Sequence, residues 1–273
     1  MGNLCNKPTF SVPKKPLSPD IRIQPLKGNH ESLFEMFDCI NIFKNYTIQD
    51  YMFILSTTFD QNTGVDDGRY LAFIEKKLIK NQQVSNWILN DDLTRNQIQD
   101  FHQKFFSIFL KGFKTFYKSI KDEKYPNNNL PYICFLAIGI VFCQGRIDNK
   151  IDIIFNSISN DGEYIEKSDD FVFFIFSCMC IPTGIFLFVL KELSDENEDY
   201  KAKIGKFEFE RIFDTYQIKD ATNSTKEYMK LLFSEDKSRL SYDEFYSLFK
   251  VSDDLKVIFN PASIRNWLER NNI

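Results

Sequence analysis

The sequence predicts an all-α protein, built of tandem helix-loop-helix pairs with an additional N-terminal helical region. Three observations carry that expectation. Apolar residues recur at the three-and-four spacing of an amphipathic helix over most of the chain. Ten Gly and nine Pro in 273 residues are too few for a barrel or sandwich full of tight turns. Polar loops also recur at a period of roughly 36 residues through the C-terminal two-thirds.

Residues 1–30 carry Pro8, Pro13, Pro16, Pro19 and Pro25, which forbid a continuous helix and predict an extended tail. No basic segment followed by an apolar one opens the chain, so a cytoplasmic protein is expected. Residues 31–97 form the N-terminal helical region. Leu33, Phe34, Met36, Phe37 and Ile40 fall at helical spacing, Ile48 to Leu55 continues the pattern, Phe59 to Arg69 reads as a loop, and periodicity resumes over Tyr70 to Ile79. With Thr94 as a cap, Ile98 to Ile120 reads as a long helix. Its stripe of Phe101, Phe105, Phe106, Phe109 and Phe113 reads as core.

Two apolar runs follow. Leu130 to Cys143 is 14 residues long and contains Pro131, too short to span a bilayer. Phe171 to Leu190 is 20 residues without a charge, which is the length of a transmembrane helix. Pro182, Thr183 and Gly184 interrupt it, however, and favour two buried helices meeting at Ile181 to Gly184.

Composition narrows the function. A chain that is 43% hydrophobic and 16% aromatic, with 29 Phe, is expected to pack an interior. A net charge of −4 gives no electrostatic reason to bind nucleic acid. The six cysteines, Cys5, Cys39, Cys134, Cys143, Cys178 and Cys180, form no CxxC pair and read as buried thiols of a reducing compartment. Two distant histidines, His30 and His102, and the absence of phosphate-loop, nucleophile-elbow and metalloprotease motifs predict that the chain is not an enzyme and has no catalytic residues.

The repeat consists of an apolar anchor after a polar loop, a short or acidic residue four positions later, and then Phe. Its copies are Leu130, Cys134 and Phe135; Ile165, Asp169 and Phe171; Ile204, Glu208 and Phe209; and Leu240, Glu244 and Phe245. The anchors lie 35, 39 and 36 residues apart. Each loop falls between helical runs, as in Tyr228 to Phe233, Ser234 to Ser241 and Tyr242 to Phe249.

This pattern resembles the EF-hand superfamily, as a degenerate four-hand protein. The segment Arg239-Leu-Ser-Tyr-Asp-Glu-Phe245 is similar to the last hand of the myristoylated calcium sensors of the neuronal calcium sensor and calcineurin B kind, and Gly145 to Ile165 to their second. The resemblance implies a first pair of hands over 98–190, a second pair with a C-terminal helix over 191–273, and apolar anchors joining paired loops in a small sheet. It also implies calcium held by loop oxygens and a bidentate acid at the loop's end.

The ligand positions have drifted. Cys134 stands where the first loop's acid belongs, after the uncharged Asn127, Asn128 and Asn129. The second loop has Asn160, Asp161 and Gly162 in a turn but ends in Asp169, and the fourth has Lys237 and Ser238 where an acid and Gly belong, with Glu244 in place. Only the third offers a ligand run, Asp195, Asn197 and Asp199 followed by Glu208, as a weak calcium site.

Met1-Gly2-Asn3-Leu4-Cys5-Asn6 nearly fits the myristoylation pattern, with Asn6 replacing the hydroxyl residue. Gly2 and Cys5 are therefore the lipidation candidates, because two acyl chains anchor stably where one does not. The expected function is a membrane-tethered adaptor that clasps a protein partner, such as an amphipathic helix, with weak calcium binding or none. The alternative is a constitutive structural subunit of a cytoskeletal, ciliary or membrane-associated complex.

Overall fold

The computed structural model describes residue 34 and residues 42–58, 95–118, 131–159, 162–196, 198, 201 and 218–271. The expected tail 1–30, the loop Phe59 to Arg69, the helix over Tyr70 to Ile79, the cap Thr94 and the anchors Leu130 and Ile204 lie outside these residues.

The described chain is mostly helical, as the periodicity predicts. In order it forms a 3-10 turn at Ile42–Asn45, α1 (Ile48–Thr58), α2 (Arg95–Lys118), α3 (Tyr132–Phe142), α4 (Ile147–Ile158) and β1 (Tyr164–Glu166). Then come α5 (Asp169–Cys180), a π turn (Ile181–Ile185), α6 (Phe186–Glu196), α7 (Ile218–Leu232), β2 (Arg239–Ser241) and α8 (Tyr242–Val251). A second 3-10 turn (Leu255–Phe259) and α9 (Pro261–Asn271) complete it.

Local chemistry explains the boundaries. Thr47 precedes α1 and its hydroxyl accepts the Asp50 backbone N–H at 3.1 Å while donating to the Asp50 carboxylate at 2.7 Å, a reciprocal N-terminal cap. Pro131, which cannot donate a backbone hydrogen bond, stands just before α3. Ser168 caps α5 by accepting the Phe171 N–H, and Asp169 and Asp170 complement the positive end of that helix.

The apolar run Phe171 to Leu190 is two buried helices that meet where the sequence places the break, although helical continuity is kept. Pro182 has no N–H to offer the preceding turn, and the chain widens into the π turn instead of stopping. The Thr183 hydroxyl compensates, donating to Met179 O at 2.7 Å with Cys180 O 3.3 Å away. The combined helix Asp169–Glu196 has the length and composition to cross a membrane, but 83% of its most apolar window is buried inside the fold. Of the aromatic stripe of α2, Phe105, Phe109 and Phe113 are buried where α2 packs on α6, as a core face requires, while the side chains of Phe101 and Phe106 lie outside the described ones. Ion pairs Lys111–Glu192 (2.6 Å) and Lys104–Glu196 flank that contact.

The two strands form an antiparallel sheet with Ile165 opposite Leu240, Tyr164 opposite Ser241 and Glu166 opposite Arg239. The sequence grouping places Ile165 in the first expected pair and Leu240 in the second, so the sheet joins one loop from each. The flanking helices follow: α5 packs against α7, and α4 against α8. Aromatic contacts bind the two units into one core, from Phe155 to Phe245 (centroids 5.9 Å apart), Phe245 to Phe171 (6.3 Å) and Phe171 to Phe233 (5.9 Å).

The remaining helices cover that core. Every residue of α3 except Ile133 is buried, against α5, α1 and the second 3-10 turn. At Gly139 a Cβ would come within 2.5 Å of the Tyr51 ring, so only glycine lets α1 approach this closely; the Tyr51 hydroxyl then donates to Phe135 O at 3.0 Å. Helix α9 lies on α7, α5 and the π turn, burying Ile264, Trp267 and Leu268. It also buries Arg265, whose guanidinium sits 4.4 Å from the centre of the Phe34 ring.

Candidate functional site: the paired helix-loop-helix units

The candidate site is built from α4-β1-α5 and α7-β2-α8, the two units that share the sheet. Gly162, in the turn before β1, has a φ of +75°, the left-handed conformation that the Asn160-Asp161-Gly162 signal anticipates. The Lys167 N–H donates to Ser238 O at 2.9 Å and extends the pairing toward the other loop. Across the strands Arg239 pairs with Glu166 at 2.8 Å and lies over the Tyr164 ring, 4.6 Å from its centre.

The two loops end differently. In the C-terminal unit Ser241 is both the last strand residue and the cap of α8, which puts Glu244 at the third helical position. Glu244 completes a capping box there, its Oε2 accepting from the Ser241 N–H at 3.0 Å and from the Ser241 hydroxyl at 3.1 Å. Its other oxygen, Oε1, accepts from the Lys237 ammonium at 2.5 Å. The Lys237 hydrogen bond, followed by the two from Ser241, holds the Glu244 carboxyl down at about 2.

In the N-terminal unit the strand ends at Glu166 and the cap falls two residues later, at Ser168. The third helical position of α5 is therefore Phe171, and Asp169 sits in the first turn as a helix-start acid. The two acids are thus placed differently: Glu244 is engaged by an ammonium and a cap, and Asp169 stands two positions earlier on its helix. Cys134, at the first loop's acid position, is a fully buried residue of α3.

Of the weak calcium candidate, Asp195 is an exposed residue in the last turn of α6, while Asn197, Asp199 and Glu208 lie outside the described residues. Gly2 and Cys5 lie outside them as well. Among the described residues no group of three or more His, Cys, Asp or Glu side chains is gathered to hold a metal.

A polar seam between α4 and α8 escaped the sequence reading. The Tyr242 hydroxyl donates to Asp152 Oδ1 at 2.5 Å, and Tyr246 and Lys250 donate to Asp148 Oδ1 at 3.1 Å and 2.5 Å. These contacts repeat at a spacing of four on both helices, so the seam fixes their register. The Lys250 hydrogen bond leads in holding the Asp148 carboxyl below its usual range, and the bond to Asp152 pushes the Tyr242 phenol up to about 12.

Lys150 was also missed, because a lysine on an amphipathic helix ordinarily faces water. Here it is 4% exposed and its ammonium donates to Ile140 O at 2.6 Å, near the C-terminus of α3, with Phe259 O 3.5 Å away at the end of the second 3-10 turn. Two carbonyls without helical partners thus share one cation. Burial pushes this lysine down to about 8, and it pushes the neighbouring Cys143 thiol up to about 12. The thiols of Cys134, Cys143, Cys178 and Cys180 are buried, free and shifted upward in the same way, so they are poor nucleophiles.

A base whose folded value is depressed weakens the fold while it is charged, and that penalty is relieved as the pH rises through about 8 toward 10.5. The stability difference between the wild type and Lys150→Met is therefore expected to move in favour of the wild type by about 1 kcal/mol between pH 7 and 9. Paired denaturant titrations check it, since the thiol contributions common to both proteins largely cancel. A difference that stays flat with pH would exclude the buried charge.

No protein-family model matches the chain, and no curated protein matches it.

Proposed function

We propose that the protein is a non-enzymatic EF-hand-like adaptor, tethered to a membrane by acylation at Gly2 and Cys5, that holds a protein partner with little or no help from calcium. The observation that carries this reading is the closure of the C-terminal loop. Glu244 occupies the helix-start position at which the EF-hand resemblance places the bidentate ligand, yet both its oxygens are engaged by Lys237 and Ser241. The anchors Ile165 and Leu240 nevertheless pair across the sheet. In this reading the scaffold of a calcium-binding pair persists while its metal chemistry is supplied from within, and any calcium binding is confined to the run Asp195, Asn197, Asp199 and Glu208.

A second reading, a constitutive structural subunit of a cytoskeletal, ciliary or membrane-associated complex, is favoured by one further observation. The apolar faces of the paired units are covered by α3 and α9 of the same chain. A calcium sensor exposes such a face to clasp a helix only after its hands open. With the faces covered in cis, a partner would dock on the outer surface and stay.

Affinity capture of the full chain from native cells, in calcium and in chelator, followed by mass spectrometry, tests both readings. The same partners in both conditions support a calcium-independent adaptor, and co-fractionation with an insoluble assembly selects the structural subunit. Partners released by chelator would overturn both. An acyl increment in the intact mass of the native protein is expected, and its absence would remove the tether.

A further inference from the structure

We propose that Lys237 is a built-in cation that closes the C-terminal loop. It is a positioning residue whose ammonium fixes the loop to the start of α8 in the way a bound divalent ion otherwise would. The inference deepens the adaptor reading and rests on it for the comparison with a metal loop, but the geometry stands by itself.

Lys237 is the fourth residue of a tight turn in which its own N–H donates to Ser234 O at 3.1 Å. Its side chain then crosses seven positions forward to Glu244 Oε1. The ring so formed contains β2, because residues 239–241 lie between the two ends. The next residue along the loop, Ser238, supplies the carbonyl that receives the Lys167 N–H from the other unit. One ammonium therefore couples three things: the turn, the strand pairing and the cap of α8.

The charge balance explains why a lysine suits this place. A carboxylate at the third helical position is already favoured by the helix start and by Ser241. Within the loop Glu235 and Asp236 add negative charge, and Arg239 is committed to Glu166 across the sheet. Glu244 is about half exposed, so its attraction for a cation is screened but not abolished. A divalent ion approaching Glu244 would have to displace a covalently tethered cation whose local concentration does not fall with dilution. The loop is thereby closed without a bound ion.

Helix α8 transmits the consequence. It carries Phe245 and Phe249 into the core and Tyr242, Tyr246 and Lys250 onto α4, so fixing its first turn fixes the seam with α4.

The test uses the full chain with Lys237→Gln and Lys237→Arg, reading the Glu244 carboxyl by NMR titration and amide exchange over residues 238–245. The wild-type carboxyl is expected to titrate near 2. In Lys237→Gln it should rise toward the ordinary value of about 4.3. Exchange over the segment should accelerate by about two- to fivefold, the range of an exposed ion pair, and Lys237→Arg should restore both. If Lys237→Gln leaves the titration and the exchange unchanged, the assignment fails while the adaptor reading survives. If instead calcium added to the wild type shifts the Glu244 signal, the ion displaces the lysine and both fail.

Discussion

Leu240→Asp is expected to destabilise the protein by about 5 kcal/mol or more, enough to unfold a domain of ordinary stability. Leu240 is 2% exposed and faces Ile165, which is fully buried, at the centre of the only sheet among the described residues. Truncating a buried leucine costs about 2–5 kcal/mol through lost burial and the cavity left behind. The new carboxylate adds the cost of a charge with no partner beside it. Leu231→Asp is the control, because Leu231 is 41% exposed and its loss should fall within about 1 kcal/mol. Urea unfolding followed by far-ultraviolet circular dichroism measures both. A small effect at Leu240 would mean that the sheet does not hold the units together.

Phe245→Ala should cost about 3–5 kcal/mol. The ring is fully buried and meets Phe249 at 4.9 Å, Phe155 at 5.9 Å and Phe171 at 6.3 Å between centroids. It therefore contacts α8, α4 and α5 at once, and no single neighbour can move to fill the void without leaving another. Phe245→Leu retains much of the volume and should recover a large share of the loss. Thermal or denaturant unfolding of the three proteins distinguishes a junction of this kind from a peripheral contact. The latter would lose little more than its own transfer free energy.

What was legible in the sequence follows from the range over which each signal acts. The aromatic that follows the anchor was legible, because Phe135, Phe171 and Phe245 recur five or six positions after an apolar residue and all three are buried. The break at Pro182 was legible from local chemistry, although the π turn that bridges it depends on the Thr183 hydroxyl finding Met179 O. The partnership of the strands was not legible. Ile165 and Leu240 are interchangeable as anchors, and only the packing of α5 on α7 and α4 on α8 selects this pairing over adjacent loops.

The polar contacts show the same limit. Asp148 and Asp152 meet Lys250, Tyr246 and Tyr242 across separations of 90 to 102 residues, which no local pattern encodes. A signal did exist, since both helices carry polar residues at a spacing of four beside their apolar stripes, but it names no partner. Lys237 was visible as a residue that spoils a calcium loop. Its reach to Glu244, and so its part in closing that loop, required the turn at Ser234 to be seen in three dimensions.

In the proposed adaptor the paired units are closed without calcium. Hydrophobic-dye fluorescence of the full chain, recorded in chelator and then in millimolar calcium, tests it most directly, because sensor hands that open expose an apolar groove. With α3 and α9 covering the core and Lys237 engaging Glu244, the same low fluorescence is expected in both conditions. A saturable rise on adding calcium, reversed by chelator, would contradict it.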